Sequence, residues 1–180
     1  MKTTNILFGL VFLIFGISAC SPRLTPFTQR LQNENDWSKD DLQRIQFYLS
    51  DDIVLFRDVT EGSSKIEGGK IRQVKGRKVE EIVIPQGTPG VMVFSPKDDR
   101  FAVSFEDGAD ERYLMFGPNP KAGNKYMLLA KEWKRKRGSV TYEGRTFYTN
   151  TESAYAALMV DLRKIRKTKV KRRTAEGRKL

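Results

Sequence analysis

From Ile53 to Tyr148 the apolar residues fall in short β-branched and aromatic runs, broken repeatedly by Gly, Pro, Asn and Asp. Such runs predict strands, here Ile53–Val59, Lys70–Val74, Lys78–Ile84, Val91–Phe94, Phe101–Phe105, Arg112–Phe116, Lys125–Trp133, Ser139–Tyr142 and Arg145–Tyr148. Phe101, Val103 and Phe105 alternate with Ala102 and Ser104, the pattern of a half-buried strand. Lys75-Gly76, Asp107-Gly108 and Glu143-Gly144 each supply a glycine for positive φ, and Thr88-Pro89-Gly90-Val91 fits a type II turn. Closure removes exposed edges, so the expected fold is mostly β: a small barrel or rolled antiparallel sheet of about seven to ten short strands.

Helical signals lie at the two ends of this region. Thr25-Pro26 offers an N-cap followed by Pro at the first helical position, with Phe27 and Leu31 one turn apart. Ser38 is a stronger cap: Asp41 stands three residues on, and Trp37 with Leu42 occupies the positions of a hydrophobic staple. Leu42, Ile45 and Leu49 then share a helical face, which predicts a helix to about Ser50. At residues 153–165 two periods compete. Ala156, Leu158, Val160 and Leu162 alternate as in a strand, whereas Ala154, Leu158, Asp161, Leu162 and Ile165 line one side of a helix; the preceding hairpins favour a closing strand.

Upstream of this region the pattern is different. A polar start carrying Lys2 gives way to an unbroken apolar run from Ile6 to Ile17, too short for a bilayer span of roughly 20 residues. Charge, short apolar middle and small residues after it describe an export signal. The run closes on Ile17-Ser18-Ala19-Cys20, which resembles the lipobox of bacterial lipoproteins. That resemblance implies cleavage before Cys20, diacylglycerol on its thiol and acylation of the new amine, so that the mature protein is anchored to a membrane without crossing it. Ser21-Pro22-Arg23 carries no acid after the Cys, which by the same resemblance implies the outer membrane, periplasmic face. The organisation expected is a signal at 1–19, a lipidated Cys and tether at 20–25, one domain at 26–165 and a flexible basic tail at 166–180.

Composition narrows the chemistry. About 160 residues remain after the signal, enough for one domain that buries roughly 68 to 70% of its unfolded surface. Cys20 is the only cysteine, so no internal disulfide can form, and there is no histidine. Ser-His and Cys-His pairs, and the commonest zinc ligand, are thereby removed. The formal charge is +11, yet Arg163 to Leu180 holds ten cations against Glu176 alone, leaving the domain near neutral.

The densest acids, Asp98-Asp99 and Glu106-Asp107 with Asp110-Glu111, flank the Phe101–Phe105 strand. Five strand residues span about 17 Å, beyond the roughly 5 to 9.5 Å between paired glycosidase carboxylates, so solvated turn acids are expected. Asp107, Asp110 and Glu111 lack the spacing of an EF-hand loop, and no metal or other cofactor is expected. Tyr126, Trp133, Tyr142, Phe147 and Tyr148 interleave with Lys131 and with the run Lys134, Arg135, Lys136 and Arg137. In cytoplasm that mixture suits nucleic acid; export argues against it. The candidate contacts for an anionic partner are Lys134, Arg135, Lys136 and Arg137 at a hairpin tip, and Arg166, Lys167, Lys169, Lys171, Arg172 and Arg173 in the tail. The expectation is a non-catalytic envelope lipoprotein that serves as an interaction or assembly subunit of an outer-membrane complex with a protein partner. The alternative is a binding module for an anionic glycan, peptidoglycan or lipid, with a carboxylate-based cell-wall hydrolase behind it.

Overall fold

A computed structural model describes residues 23–59, 70–74, 77–108 and 111–168; for 70–74, 77 and 166–168 the description is of the backbone only. The signal, Cys20, the Lys75-Gly76 turn, Asp110 and the tail from residue 169 lie outside it. The chain is mostly β, in two antiparallel sheets. The first holds seven strands: β1 (Leu24–Pro26), β2 (Gln46–Leu49), β6 (Pro89–Lys97), β7 (Arg100–Ser104), β8 (Tyr113–Asn119), β9 (Lys125–Leu128) and β13 (Leu158–Asp161), in the order β1-β13-β2-β6-β7-β8-β9. The second holds β3 (Ile53–Asp58), β4 (Lys70–Val74), β5 (Arg77–Ile84), β10 (Glu132–Lys134), β11 (Arg137–Tyr142) and β12 (Arg145–Asn150), in the order β10-β11-β12-β3-β5-β4. Among the described residues three short helices accompany them: α1 (Gln29–Asn35), α2 (Lys39–Gln43) and α3 (Leu162–Thr168).

Neither sheet closes into a barrel, but the first is rolled. The outer edge of β9 meets chain that adjoins the opposite edge: Tyr126 N–H donates to the Phe27 carbonyl (3.0 Å), Leu128 N–H to that of Ala156 (3.1 Å), and Thr28↔Lys125 and Met127↔Ala157 form isolated bridges. The polar edge of β9 is thus capped by backbone. Inward residues of both sheets, among them Phe47, Phe101, Leu114 and Phe116 from the first and Leu55, Ile82, Val140 and Phe147 from the second, form one buried cluster.

Several expectations are corrected. The helix that begins at Ser38 stops at Gln43, and residues 46–49 form a strand. Phe47 and Leu49 then point inward at period two, and Phe47 pairs with Val160 and Gly90 on either side. Sheet pairing of Phe-Tyr-Leu outweighs the helical spacing of Leu42, Ile45 and Leu49. Thr25-Pro26 is not a cap: both residues lie in β1, and Thr28 caps α1. The Lys125–Trp133 run divides into β9 and β10, and the described residues hold thirteen strands where about seven to ten were expected. The turn before β6 comes earlier than Thr88–Val91. It spans Pro85–Thr88, with Gly87 at φ +77°, whereas Gly90 lies in β6 paired with Phe47, and a Cβ there would sit 2.6 Å from the Phe105 ring. Residues 101–104 are all buried, since Ala102 is small and its cross-strand partners Phe94 and Met115 are large. Residues 153–165 resolve into a short 3₁₀ turn (Ser153–Tyr155), β13 and the start of α3, so both competing periods are used in succession. α3 runs on to Thr168, past the position where the tail was drawn.

The Ser38 cap is present as read. Its hydroxyl accepts from the Asp41 N–H (3.2 Å), and the Asp41 carboxylate accepts from the Ser38 N–H (3.1 Å). Trp37 packs on the core beside buried Leu42 and stacks on Phe27 at 5.9 Å. Ser38→Ala is expected to cost about 1 kcal/mol, roughly 2 to 4 °C in Tm for a domain of this size. Trp37→Ala should cost more, and unchanged thermal midpoints in both variants would refute the assignment.

Candidate functional site

The four-cation hairpin tip forms as expected. Residues 131–137 are all exposed, and Arg135, at φ +56°, turns the chain between β10 and β11. The tip acquires chemistry through Arg137. Its guanidinium carbon lies 4.2 Å from the centroid of the Tyr148 ring and 5.1 Å from that of Phe56, and the two rings are 6.3 Å apart. The stack follows from sheet register: Tyr148 on β12 pairs directly with Phe56 on β3 and with Ser139 on β11. Arg137 stands two residues before Ser139, diagonal to Tyr148 on the face of the sheet that points away from the core. A guanidinium over aromatic faces is held in place while its donors remain free to meet an acid or phosphate.

Beside Arg137 is a depression of about 320 Å³ lined by Glu132, Lys134, Arg137, Ser139, Thr146 and Tyr148. Lys134 Nζ is 3.4 Å from Glu132 Oε1, both exposed, so this pair is weak and readily exchanged for another partner. Val83, half exposed, shares the outer face, being paired with Val54 two residues before Phe56. Cations, hydroxyls and aromatic faces thus lie together on an open sheet surface. Its cations and hydroxyls are donors of the kind that can meet an anionic group.

The other aromatics of the sequence reading are placed differently. Tyr126, Tyr142 and Phe147 are core. Burial, then Asp99, pushes the Tyr126 hydroxyl well above its ordinary pKa of 10.0, and it donates to Gln32 Oε1 at 2.5 Å. Burial, then Glu106 and Glu143, does the same to Tyr142. Trp133 faces away from the Arg137 stack and lies across Gly138, where a Cβ would come within 2.9 Å of the indole.

Of the acids flanking β7, Asp98, Asp99 and Glu106 are held in ion pairs. Asp98 meets Lys39 (3.4 Å), Asp99 meets Arg100 (3.9 Å), and Arg112 bridges Glu106 (3.2 Å) and Glu143 (2.8 Å). Among the described residues no group of three or more metal-ligating side chains is placed to hold an ion.

Of the tail, Arg166 and Lys167 are described only as α3 backbone, and Lys169, Lys171, Arg172 and Arg173 lie outside the described residues. Arg163, just before them, clamps the buried Asp161 carboxylate through its own N–H (3.0 Å) and through Nε and Nη2 (3.2 Å each), and so holds that carboxyl below the usual range. Two features were not found by reading the sequence, one in the Arg137 stack and one on the opposite, core-facing side of the same sheet. Phe56 lies far along the chain from Arg137 and is linked to it only by β3–β12 pairing. The buried Arg57–Glu80 pair had a signal, since Glu80 shares strand parity with Ile82 and Ile84. Compared with family models, curated proteins and solved structures, the chain matches none.

Proposed function

We propose that the chain is a non-catalytic envelope lipoprotein, anchored in the outer membrane through Cys20, that serves as an interaction subunit by docking an acidic protein partner on the outer face of its second sheet. The observation that carries the docking surface is the Arg137 guanidinium stacked on Tyr148 and Phe56, within an uncovered patch that also presents Lys134, Ser139 and Thr146. Arginine held on aromatic faces is the kind of residue on which binding energy concentrates. The anchor rests on Ile17-Ser18-Ala19-Cys20 at the end of the apolar run.

Both parts can be tested in one preparation. Tagged full-length protein, purified from solubilised membranes, is expected to carry lipid on Cys20 and a co-purifying partner. Arg137→Ala should weaken that association about tenfold or more, which is about 1.4 kcal/mol. Arg137→Lys should restore only part of it, because an ammonium keeps the charge without the planar stack. Equal partner recovery from wild type and Arg137→Ala would refute the surface, and absence of lipid would refute the anchor. Capture of peptidoglycan in place of protein would turn the reading to the glycan-binding alternative.

A further inference from the structure

Residues 131–137 read Lys-Glu-Trp-Lys-Arg-Lys-Arg, five cations against one acid, and fold as β10, a two-residue turn and the start of β11. β10 is the end strand of the second sheet: one side pairs with β11, and among the described residues no strand pairs with the other. Its register fixes what that open side presents. Lys134 faces Arg137 across the turn and Glu132 faces Ser139, with Trp133 between them opposite Gly138. In an antiparallel ladder hydrogen-bonded and non-hydrogen-bonded pairs alternate, and the pair that closes a two-residue turn is a bonded one. The Trp133 N–H and C=O are therefore aimed away from β11, at the open side.

The edges of the first sheet are handled differently. β9 is capped by backbone at Phe27 and Ala156, and β1 ends on Pro26, which has no N–H to offer. β10 carries neither device. It is short and rich in cations, which keeps it from pairing with a copy of itself, since two such edges would set like charges side by side. The same charges favour an acidic strand. Glu132 and Lys134 share the outer face with Arg137, Ser139 and Tyr148, so the depression beside Arg137 runs out to the sheet edge. Glu132, the one acid, meets Lys134 through an exposed pair that an incoming carboxylate can replace. Trp133 lies on the opposite face, 42% exposed, over Gly138. A strand laid along β10 would place every second side chain beside Lys134 and Arg137, and the intervening ones beside the indole.

We propose that β10 takes up an extended segment of the acidic partner as an added antiparallel strand, in which acids over the Arg137 depression alternate with apolar residues against Trp133. The proposal rests on the acidic-partner reading of the Arg137 face and adds the main chain to it. The partner's backbone bonds to the Trp133 N–H and C=O, and its carboxylates meet Lys134 and Arg137. Directly opposed residues of an antiparallel pair point to the same face, so the partner residue bonded to Trp133 is one of the apolar set.

The test uses full-length protein in detergent at low salt and a synthetic peptide of alternating Glu and Val, capped at both ends. In the added strand the Val residues aim their N–H groups at β10 and the Glu residues aim theirs at solvent. N-methylation of every Val amide should weaken binding roughly tenfold or more, because it removes the main-chain bonds to β10, whereas N-methylation of every Glu amide should change it less than about twofold. Both peptides meet the unaltered protein, so folding does not enter the comparison. A peptide of alternating Lys and Val should not bind. Equal binding of the two methylated peptides, the reverse preference, equal binding of the Lys peptide, or no binding of the parent peptide overturns strand addition. Arg137→Ala, titrated with all three Glu peptides, distinguishes the two readings. Weakened binding with no difference between the methylated peptides keeps the acidic-partner face and removes the added strand. A Val-amide preference that persists at unchanged affinity keeps the strand and removes Arg137 from the face. Self-association of the protein that Trp133→Pro abolishes would give the edge to a second copy and overturn the proposal.

Discussion

Arg57→Ala is expected to destabilise the domain by about 3 to 5 kcal/mol, because it leaves a fully buried carboxylate without its partner. Glu80 is 0% exposed and its Oε2 accepts from Arg57 Nε; Oε1 has no hydrogen-bond partner among the described residues. Arg57 and Glu80 are direct cross-strand partners on the inward face of the second sheet, continuing the columns Ile53–Leu55 and Ile82–Ile84. The Arg57 guanidinium also lies 5.5 Å from the centroid of the Phe147 ring. Solvent exchange cannot compensate for removal of Arg57 at such a site. The loss is a large share of the roughly 5 to 15 kcal/mol that keeps a domain folded, and Tm should fall by about 10 °C.

The pair need not be net stabilising for this to hold, since desolvating two ions costs about as much as their attraction returns. Arg57→Met combined with Glu80→Leu should therefore recover most of the loss and can exceed wild type. Urea unfolding of the two single variants and the double variant separates these cases. A single variant that unfolds within about 1 kcal/mol of wild type would show that the carboxylate is not held as described, and a double variant as poor as Arg57→Ala would shift the cost to packing.

The sequence expressed its strands well where local chemistry decides them. Lys70–Val74 was read to the residue, and Glu143-Gly144 adopts positive φ at both positions, as a tight hairpin requires. Errors arose where the deciding interaction is remote. Residues 46–49 carry apolar positions compatible with either period, and only pairing with β6 and β13 makes them a strand. Gly90 reads locally as a turn glycine, yet its requirement is set by the ring of Phe105, fifteen positions on. The candidate site was half visible for the same reason. Lys134 to Arg137 announce a charged tip by themselves, whereas the aromatic platform that positions Arg137 comes from two other strands, β3 and β12.

Phe27 illustrates the same point at the N-terminal end. Read as the start of a helix, it is instead fully buried at the centre of four rings: Trp37 at 5.9 Å, Phe47 at 5.3 Å, Phe101 at 5.7 Å and Tyr126 at 5.0 Å. Its backbone is used as well, with its N–H donating to Leu158 (2.8 Å) and its carbonyl accepting from Tyr126 (3.0 Å). Phe27→Ala keeps those hydrogen bonds but opens a cavity among rigid rings that collapse poorly, and should cost about 3 to 5 kcal/mol. Phe27→Leu, which refills part of the space, should cost about half as much. The loss should also have a local signature, since Phe27 ties the stretch between β1 and α1 to the core. In Phe27→Ala, trypsin should cut at exposed Arg30 under conditions where the wild-type chain stays uncut at that bond, before the rest of the domain unfolds. If Phe27→Ala unfolds within about 1 kcal/mol of wild type and Arg30 stays protected, the N-terminal segment is an appendage, and the rolled first sheet does not depend on it.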